Sequence, residues 1–291
     1  MNSHHNVIAR VLNALFPART LVHIGAGEGT GPLAFWHDWN LAGAIAIDAQ
    51  EERLKRWRPG ERVAAFERIP AVLAGAEGEA LFHHMTNPDH SGLIEAGALR
   101  GLWPNLQNRT SSARNAVLLD NAVKDLLKED AWLVLECFGA ADILDGGAHA
   151  LARVQAAFIR VVLDKPDAPE LRSSRVESVD ERMLKHGFKR LEILAGAHPG
   201  VADAVYARDV KEELSSTALS LEAAREKILR HEQDEARSNQ ERQAEKEVLE
   251  KANKEQERLA CERLDALDAL QARYDALEAE RKKSKDLLEK V

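Results

Sequence analysis

The sequence has few of the residues that several protein classes require. Its two cysteines, Cys137 and Cys261, lie far apart in regions of different composition. Neither a disulfide framework nor a clustered zinc site is therefore expected, and a reducing cytoplasm suits both thiols. No run approaches the roughly 20 consecutive apolar residues of a membrane helix, and residues 1–16 lack the features of a secretory signal. We therefore expect a cytoplasmic protein without a membrane span.

A surplus of basic side chains is also missing. The 40 lysines and arginines are outnumbered by 48 aspartates and glutamates, which gives a formal net charge of −8. Because nucleic-acid binders neutralise phosphates with lysine and arginine, an acidic chain argues against a generic binder of this kind. We expect no nucleic-acid partner.

The last part of the chain lacks helix breakers and most large aromatic residues. All 17 glycines, 9 prolines, 5 tryptophans and 7 phenylalanines lie at or before Gly200. From residue 208 onward, 18 basic and 22 acidic side chains stand among many alanines, leucines and glutamines. This composition predicts a long helix or coiled coil. We therefore divide the chain into a globular domain over residues 1–208 and a coiled-coil helix over residues 209–291.

Two seven-residue series interlock near the end of this helix and make one apolar seam. They run through Ala260, Leu267, Tyr274, Arg281 and Leu288, and through Leu270, Leu277, Ser284 and Val291. An earlier seam contains Leu214, Ala218, Leu221 and Ile228. Between residues 230 and 247 only Ala236 and Ala244 are apolar, which indicates a solvated or loosened helix, or a functional break. The seams predict a parallel dimer or trimer, or a protein partner docked on the helix.

The first 208 residues alternate between short apolar runs and helical segments, which is typical of a mostly parallel sheet covered on both faces. Strands are predicted over Thr20–Gly25, Ala44–Asp48, Val63–Glu67, Ala80–His84, Ala116–Leu119, Trp132–Cys137 and Phe158–Leu163. Helices are predicted over residues 3–16, from a glycine-rich turn to about Trp39, and over Glu51–Trp57. The runs Phe188–Leu194 and Val201–Arg208 are joined so closely that they must pair antiparallel. The prediction is an α/β, Rossmann-like sheet with an antiparallel terminal hairpin, the layout of class I methyltransferases.

The segment from Leu21 to Asp48 is the most informative for function. A strand runs into His23-Ile24-Gly25-Ala26-Gly27-Glu28-Gly29-Thr30-Gly31, and a second strand ends in Asp48. Glycines let a ligand lie against the main chain, and an acid at the next strand end can accept ribose hydroxyls. Thr30 breaks the nicotinamide fingerprint, and no G-K-[ST] tripeptide occurs. The pattern favours S-adenosylmethionine (SAM), with a purely structural turn as the alternative.

This order of elements, with three later runs, resembles the FkbM-type methyltransferases. The runs are Ala74–Glu79 (AGAEGE), Leu118-Leu119-Asp120 and the segment Leu135–Ala141 (LECFGAA) within Leu133–Ala148. The resemblance covers about residues 18–208 and does not extend to the helical tail. It implies methyl transfer from SAM to a hydroxyl group, often on a glycan or a natural product.

The resemblance also implies roles for individual residues. Glycines 25, 27 and 29 would flank the methionine part of the cofactor, and Asp48 would hold its ribose. Glu136 would stand near the transferred methyl as a catalytic base or a positioning group. The full set of expected cofactor-binding residues is His23, Gly25, Ala26, Gly27, Glu28, Gly29 and Asp48.

Four positions depart from the family pattern. His23 stands where the family usually has an acid, Phe138 and Ala141 replace acidic or amide groups, and Glu136 replaces an aspartate. The binding motif is therefore better kept than the catalytic one. Two interpretations stay open: a SAM-dependent O-methyltransferase acting on a sugar or glycan-related acceptor, and a catalytically reduced fold. The second would serve as the head of a coiled-coil scaffold in surface-polysaccharide assembly.

Two other features give weaker signals. His83 and His84 are neighbours in a predicted strand and so point to opposite faces of the sheet, which argues against a shared metal site. No metal is expected. Trp103 lies in a predicted loop between Asn87 and Asn115, where it could cover an acceptor or simply pack on the core.

Overall fold

The computed structural model describes residues 3–163 and 168–288, with side chains in the long C-terminal helix described for residue 222 and residues 225–282. The chain divides into two compact units, with the boundary between Lys211 and Glu212.

The described part of the first unit contains short helices and ten strands. The strands are β1 (Thr20–Ile24), β2 (Gly43–Asp48), β3 (Phe66–Pro70), β4 (Val72–Leu73), β5 (Gly78–Met85), β6 (Asn108–Val117), β7 (Ala131–Leu135), β8 (Val154–Val162), β9 (Phe188–Ala195) and β10 (Val201–Arg208). The helices are α1 (Ser3–Leu15), α2 (Glu51–Leu54), α3 (Leu119–Val123), α4 (Ala140–Asp145), α5 (Ala148–Leu151) and α6 (Val176–Lys185). Two 3₁₀ segments cover Pro88–His90 and Pro169–Ser174.

Seven strands form the main sheet, in the order β3-β2-β1-β7-β8-β10-β9. β1 pairs parallel with β2 and β7, and β7 pairs parallel with β8. β10 pairs antiparallel with both β8 and β9. This order, with a reversed strand inserted next to the last one, is that of the class I methyltransferase fold. The predicted fold class and the terminal hairpin are confirmed.

The two faces of the main sheet are each covered by a hydrophobic core. Every residue of β1 and β7 is buried, because parallel central strands have packed layers on both sides. Along β7, Leu133 and Leu135 enter one core, whereas Trp132 and Val134 enter the other. This alternation follows from the two-residue period of a strand.

A second, three-stranded sheet in the order β4-β6-β5 was not predicted as a separate unit. β5 and β6 pair antiparallel, from Gly78 opposite Ala116 to Met85 opposite Asn108. The prediction placed a strand at Ala116–Leu119, but β6 occupies residues 108–117 and Leu119 begins α3. β6 was missed because its sequence, NRTSSARNAV, is polar and largely exposed, so it carries no apolar alternation.

The predicted helix between the glycine-rich turn and Trp39 does not form. Residues 25–40 make a series of turns, with bonds from the Ala34 N–H to the Gly31 carbonyl and from the Trp39 N–H to the Trp36 carbonyl. Pro32 cannot donate a backbone hydrogen bond and disfavours a helical conformation at Gly31. The segment is therefore stabilised by the burial of its side chains in the core and not by the hydrogen bonds of a helix.

Two other boundaries differ from the prediction. α2 ends at Leu54 rather than Trp57, whose indole ring is buried in the core. The third parallel strand is Phe66–Pro70 rather than Val63–Glu67, and Val63 makes only an isolated bridge to Leu41.

The second unit is occupied by a single helix, α7 (Val210–Leu288), of 79 residues. At about 1.5 Å per residue its length is on the order of 120 Å. Its described seam residues are exposed, among them Ile228, Leu267, Leu270, Tyr274 and Leu277. The predicted seam positions Leu214, Ala218, Leu221, Ser284, Leu288 and Val291 lie outside the residues whose side chains are described. Within residues 3–163 and 168–288, no helix is both long and apolar enough to cross a bilayer.

Candidate functional site

The candidate site lies at the carboxyl ends of the parallel strands, where open α/β sheets bind their ligands. The glycine-rich turn follows β1, Asp48 ends β2, and Glu136 follows β7. Arg160, near the end of β8, reaches Glu136 from the side. Four neighbouring strands thus supply the groups that meet at this edge.

Three adjoining cavities line this edge of the sheet. The first, here called the β2 cavity, has a volume of about 580 Å³ and is lined by Asp48, Ala74, Phe82, Ile94 and Phe138 among others. The second, the turn cavity, has about 240 Å³ and lies against the glycine-rich turn. The third, the outer cavity, has about 900 Å³.

The cavities share wall residues, so they lie next to one another along this edge. Gly25, Asp48 and Cys137 line both the β2 cavity and the turn cavity. Gly31 and Arg160 line both the turn cavity and the outer cavity. The turn cavity is therefore the junction between the two larger spaces.

Glu136 is held on both carboxylate oxygens. His23 Nε2 lies 2.9 Å from Oε2, and Arg160 Nη2 donates to Oε1 at 3.0 Å. The Trp36 indole N–H donates to His23 Nδ1 at 3.2 Å. His23 Nδ1 is therefore an acceptor, and Nε2 carries the hydrogen that is donated to Glu136.

The ionised form of Glu136 is favoured despite its burial. Burial by itself raises the pKa of a carboxyl group. The hydrogen bond from His23, the charge of Arg160 and a backbone hydrogen bond from Leu33 together outweigh this effect. They hold the pKa of Glu136 below its ordinary value. Glu136 is therefore a buried carboxylate with fixed partners.

The same ion network reaches the first helix of the chain. Arg160 Nε lies 3.5 Å from Asp203 Oδ1, in β10, and Asp203 Oδ2 lies 3.0 Å from His5 Nε2, in α1. His5 and Asp203 are buried. One chain of polar contacts therefore connects α1, β10 and β8 with Glu136.

Asp48 fixes the glycine-rich turn from the other side. Its Oδ2 accepts the Gly27 N–H at 2.8 Å and its Oδ1 accepts the Gln50 N–H at 2.7 Å. Burial raises the pKa of Asp48 more than these bonds and the charge of Arg53 lower it. Each carboxylate oxygen has a second acceptor position, so the group can still accept a ligand hydroxyl.

Protein side chains press closely on the glycine-rich turn. Gly29 has φ of +73°, and a Cβ there would lie 2.3 Å from the Trp57 ring. A Cβ on Gly31 would lie 2.6 Å from Glu136 Oε1. These two glycines are therefore required by the packing of the turn, whatever ligand it binds.

The segment between β5 and β6 closes over the turn cavity. Arg53 of α2 pairs with Asp89, and the Gln50 side-chain amide donates to the Pro88 carbonyl at 3.0 Å. His90 stacks on Trp103 with ring centroids 4.0 Å apart. Burial, together with the charge of Arg160, lowers the pKa of His90. Trp103 packs against Phe138 and also lines the outer cavity, and its role toward an acceptor stays a prediction.

The expected cofactor-binding residues do not all face the cavities. Gly25, Ala26, Gly27, Glu28 and Asp48 line the turn cavity, and Gly29 lines the outer cavity. His23 lies behind the turn, wholly buried, and reaches the site only through Glu136.

Sequence reasoning missed Arg160, Arg53 and Asp89. A signal existed for Arg160, since it interrupts the apolar run AAFIRVV, where an unpaired arginine would be costly. Arg53 and Asp89 are charged residues 36 positions apart in the sequence, so no local pattern connects them. His83 Nδ1 lies 2.9 Å from Ser111 Oγ, and the described residues contain no group of three or more histidine, cysteine or acidic side chains arranged for a metal ion.

The strand order and the position of the cavities define the chain as a class I methyltransferase fold. No protein-family model matches the sequence, and no curated protein matches it.

Solved methyltransferase structures cover most of the first unit at low identity. Magnesium protoporphyrin IX methyltransferase of Synechocystis PCC 6803 with bound SAM is 8% identical, with a TM-score of 0.35, over 71% of this chain and 80% of that one. The N-terminal domain of EvdMO1, solved with SAH and D-fucose, is 13% identical, with a TM-score of 0.35, over 70% and 82%. The bifunctional kinase-methyltransferase WbdD is 11% identical, with a TM-score of 0.41, over 72% and 39%.

The packing of the turn predicts the effect of adding one methyl group. Gly29→Ala should lower the free energy of unfolding by about 2–4 kcal/mol, because the Cβ overlaps Trp57 and the residue has positive φ. Gly92→Ala is the matched control, since a Cβ there meets nothing within 4 Å, and should change the free energy by less than about 0.5 kcal/mol. Denaturant unfolding followed by tryptophan fluorescence measures the first unit alone, because all five tryptophans precede Gly200. Equal stabilities of the two variants would contradict the close contact.

The ionised state of Glu136 predicts a pH-dependent variant. Glu136→Gln should lower the free energy of unfolding at neutral pH by about 1–3 kcal/mol, because it removes one of the two carboxylates that the partly buried Arg160 contacts and leaves only the longer contact with Asp203. The hydrogen bond from His23 and the charge of Arg160 hold the folded pKa of Glu136 below its ordinary value, so its carboxylate stabilises the fold at neutral pH. This contribution is lost as the pH falls through the folded pKa.

The difference between wild type and Glu136→Gln should therefore shrink in acid. Burial raises the pKa of Asp48, so Asp48 changes the free energy of unfolding with pH in the opposite direction. This change is the same in wild type and variant and cancels from their difference. Glu67→Gln, at an exposed position, should show a small difference at every pH. A large Glu136→Gln difference that stays constant in acid would mean that Glu136 is not ionised.

Proposed function

We propose that residues 1–208 bind S-adenosylmethionine and that the protein is an FkbM-type O-methyltransferase acting on a hydroxyl of a sugar or glycan-related acceptor. The observation that carries the proposal is the series of three adjoining cavities at the carboxyl edge of the sheet. A methyl transfer needs space for a nucleoside, a methionine part and an acceptor in that order, and the series supplies three such spaces.

The β2 cavity suits an adenosine. Its volume lies in the range of small-ligand pockets. Ala74, Phe82, Ile94 and Phe138 provide apolar walls for a base, and Asp48 stands at the inner end with free acceptor positions for ribose hydroxyls. This arrangement agrees with the role that the resemblance implies for Asp48.

The turn cavity suits the methionine part. The guanidinium of Arg53 lies against Gly27, and Arg160 faces the cavity from β8, so cations are present for a carboxylate. Glu28 and Asp89 line the same space and can accept from an ammonium group. When bound, SAM supplies an electrophilic methyl on its sulfonium, and the protein has to align an acceptor oxygen with it.

Glu136 acts in this proposal as a positioning group rather than as a base. Both of its oxygens are engaged, by His23 and by Arg160, and its pKa is low. Its effect is to hold Arg160 at the wall that the turn cavity and the outer cavity share. The outer cavity, lined by Asn87, Trp103 and His198, offers polar and aromatic groups to a hydroxyl-bearing acceptor.

A second candidate function is a catalytically reduced fold that serves as the head of a coiled-coil scaffold, in surface-polysaccharide assembly. Two observations favour it: Trp57 and Glu136 account for Gly29 and Gly31 without a ligand, and His23 has replaced the family's acid. In either case we propose that α7 joins copies of the protein, because its seam side chains are exposed in one copy.

Cofactor binding distinguishes the two candidates. In calorimetry the full-length protein should bind SAM, and Asp48→Ala should weaken binding about 10- to 100-fold, because a hydrogen bond to a charged group is lost. Asp125→Ala, an exposed acid away from the cavities, is the control and should bind like wild type. A thermal melt of each variant shows that the fold is kept. No binding by the wild type would overturn the cofactor proposal and leave the scaffold.

Turnover tests the role of Glu136. With a panel of hydroxyl acceptors and detection of S-adenosylhomocysteine, Glu136→Gln should reduce kcat on the order of 10- to 100-fold, because Arg160 shifts and misaligns the acceptor. The Kd for SAM should stay nearly unchanged, and Glu136→Asp should recover part of kcat. Equal kcat in wild type and Glu136→Gln would remove Glu136 from the mechanism.

A further inference from the structure

The two apolar seams of α7 share one heptad register. Ile228 and Leu249 are 21 residues apart, and so are Leu249 and Leu270, which is three heptads in each case. The register has one apolar series at Leu214, Leu221, Ile228, Leu249, Leu270 and Leu277, which we define as heptad position d. Position a is then occupied by Ala218, Arg225, Glu232, Asn239, Lys246, Asn253, Ala260, Leu267, Tyr274, Arg281 and Leu288. Between its apolar members, position d holds Glu235, Arg242, Gln256, Arg263 and Ser284.

The segment between the seams keeps this phase although it holds few apolar residues. α7 is helical throughout Val210–Leu288, so an insertion of three or four residues would rotate the second seam away from the first. A linker with no role in association would leave the two phases unrelated. The shared phase places both seams on one continuous face of α7.

In a single copy, this face is uncovered over the described part of the helix. Ile228 is 60% exposed, Leu249 58%, Leu267 64% and Leu270 71%. Apolar side chains at positions a and d of one register form the surface that a second helix covers in a left-handed coiled coil. Four other exposed apolar residues, Leu229, Val248, Leu259 and Leu264, lie outside positions a and d.

We propose that the second helix is α7 of another copy of this chain, packed parallel and in register as a two-stranded coiled coil. The inference rests on the proposed self-association of α7 and is independent of the proposed methyl transfer. In this arrangement each apolar residue of the seam meets its own counterpart. The same arrangement sets the charged seam positions Glu232, Glu235, Arg242 and Lys246 against identical charges, so this stretch opposes association and the apolar stretches on either side of it supply the stability.

The two asparagines fix the number of strands and the register. Asn239 and Asn253 both fall at position a, within the least apolar part of the helix. An asparagine at a pairs with its equivalent across the axis only when the two helices are level, and such a residue specifies register and oligomer state at a cost in stability.

The flanking charges support the parallel arrangement. In parallel coiled coils, a residue at position g faces position e of the next heptad in the partner. Here Arg273 faces Glu278, Glu280 faces Lys285, and Leu259 faces Leu264. Glu245 would face Glu250, and these like charges repel each other. This pair lies between Asn239 and Asn253. The C-terminal third of α7 therefore contributes most of the complementarity.

Cysteine cross-linking of the full-length protein tests orientation and register. In a Cys261→Ser background, Leu270→Cys should form a disulfide-linked dimer under mild oxidation, because position d residues of level helices adjoin. Ala272→Cys, on the outer side of the same helix turn, is the matched control and should cross-link at least about tenfold more slowly. A dimer in which Cys at 270 fails to cross-link would overturn the parallel, in-register arrangement.

Light scattering on the same full-length protein tests the number of strands. The wild type should be a dimer, and Asn253→Leu should yield larger or mixed species, since the residue that restricts the assembly is gone. A wild-type trimer would overturn the two-stranded assignment. A wild-type monomer would overturn self-association itself, while SAM binding, measured separately, would be unaffected.

Discussion

The buried carboxylate of Glu136 is the interaction on which the rest of the site depends. Removing an ion from water is costly, and the cost is met only when its partners are fixed and its hydrogen bonds complete. His23 and Arg160 meet this condition from opposite sides. Because Arg160 also contacts Asp203, and Asp203 contacts His5, the position of β8, β10 and α1 is coupled to the junction of the cavities. The edge of the sheet is thus organised by charge as much as by packing.

The glycine-rich turn is set between this ion network and the aromatic core. Asp48 holds the Gly27 N–H, Trp57 covers Gly29, and Glu136 covers Gly31. These contacts fix the turn without a helix after it, so its backbone is ordered before any ligand arrives. A binding surface that is ordered in advance loses less entropy on binding.

The sequence predicted the central strands and the reversed hairpin because their apolar runs and short connection are local signals. It failed where tertiary contacts decide. Pro32 and the buried Trp36 replace the expected helix by turns, and β6 is too polar to be recognised. In the site, Asp48 and Glu136 lie at the carboxyl edge of the sheet, where the strand pattern placed Asp48 and where the strand pattern and the resemblance placed Glu136. The partnership of Glu136 with His23 spans 113 residues, and no local pattern could reveal it.

The fit of Trp57 on Gly29 has a consequence for how such chains are recognised. A tryptophan that excludes every side chain except hydrogen selects for glycine through folding stability. A descendant that no longer bound a cofactor would still retain these glycines. Substitutions would accumulate first at residues that contact only the cofactor. In this chain, packing alone accounts for Gly29 and Gly31, whether or not a cofactor binds the turn. Residues that line the cavities without supporting the fold are the ones whose substitution would indicate a change of function.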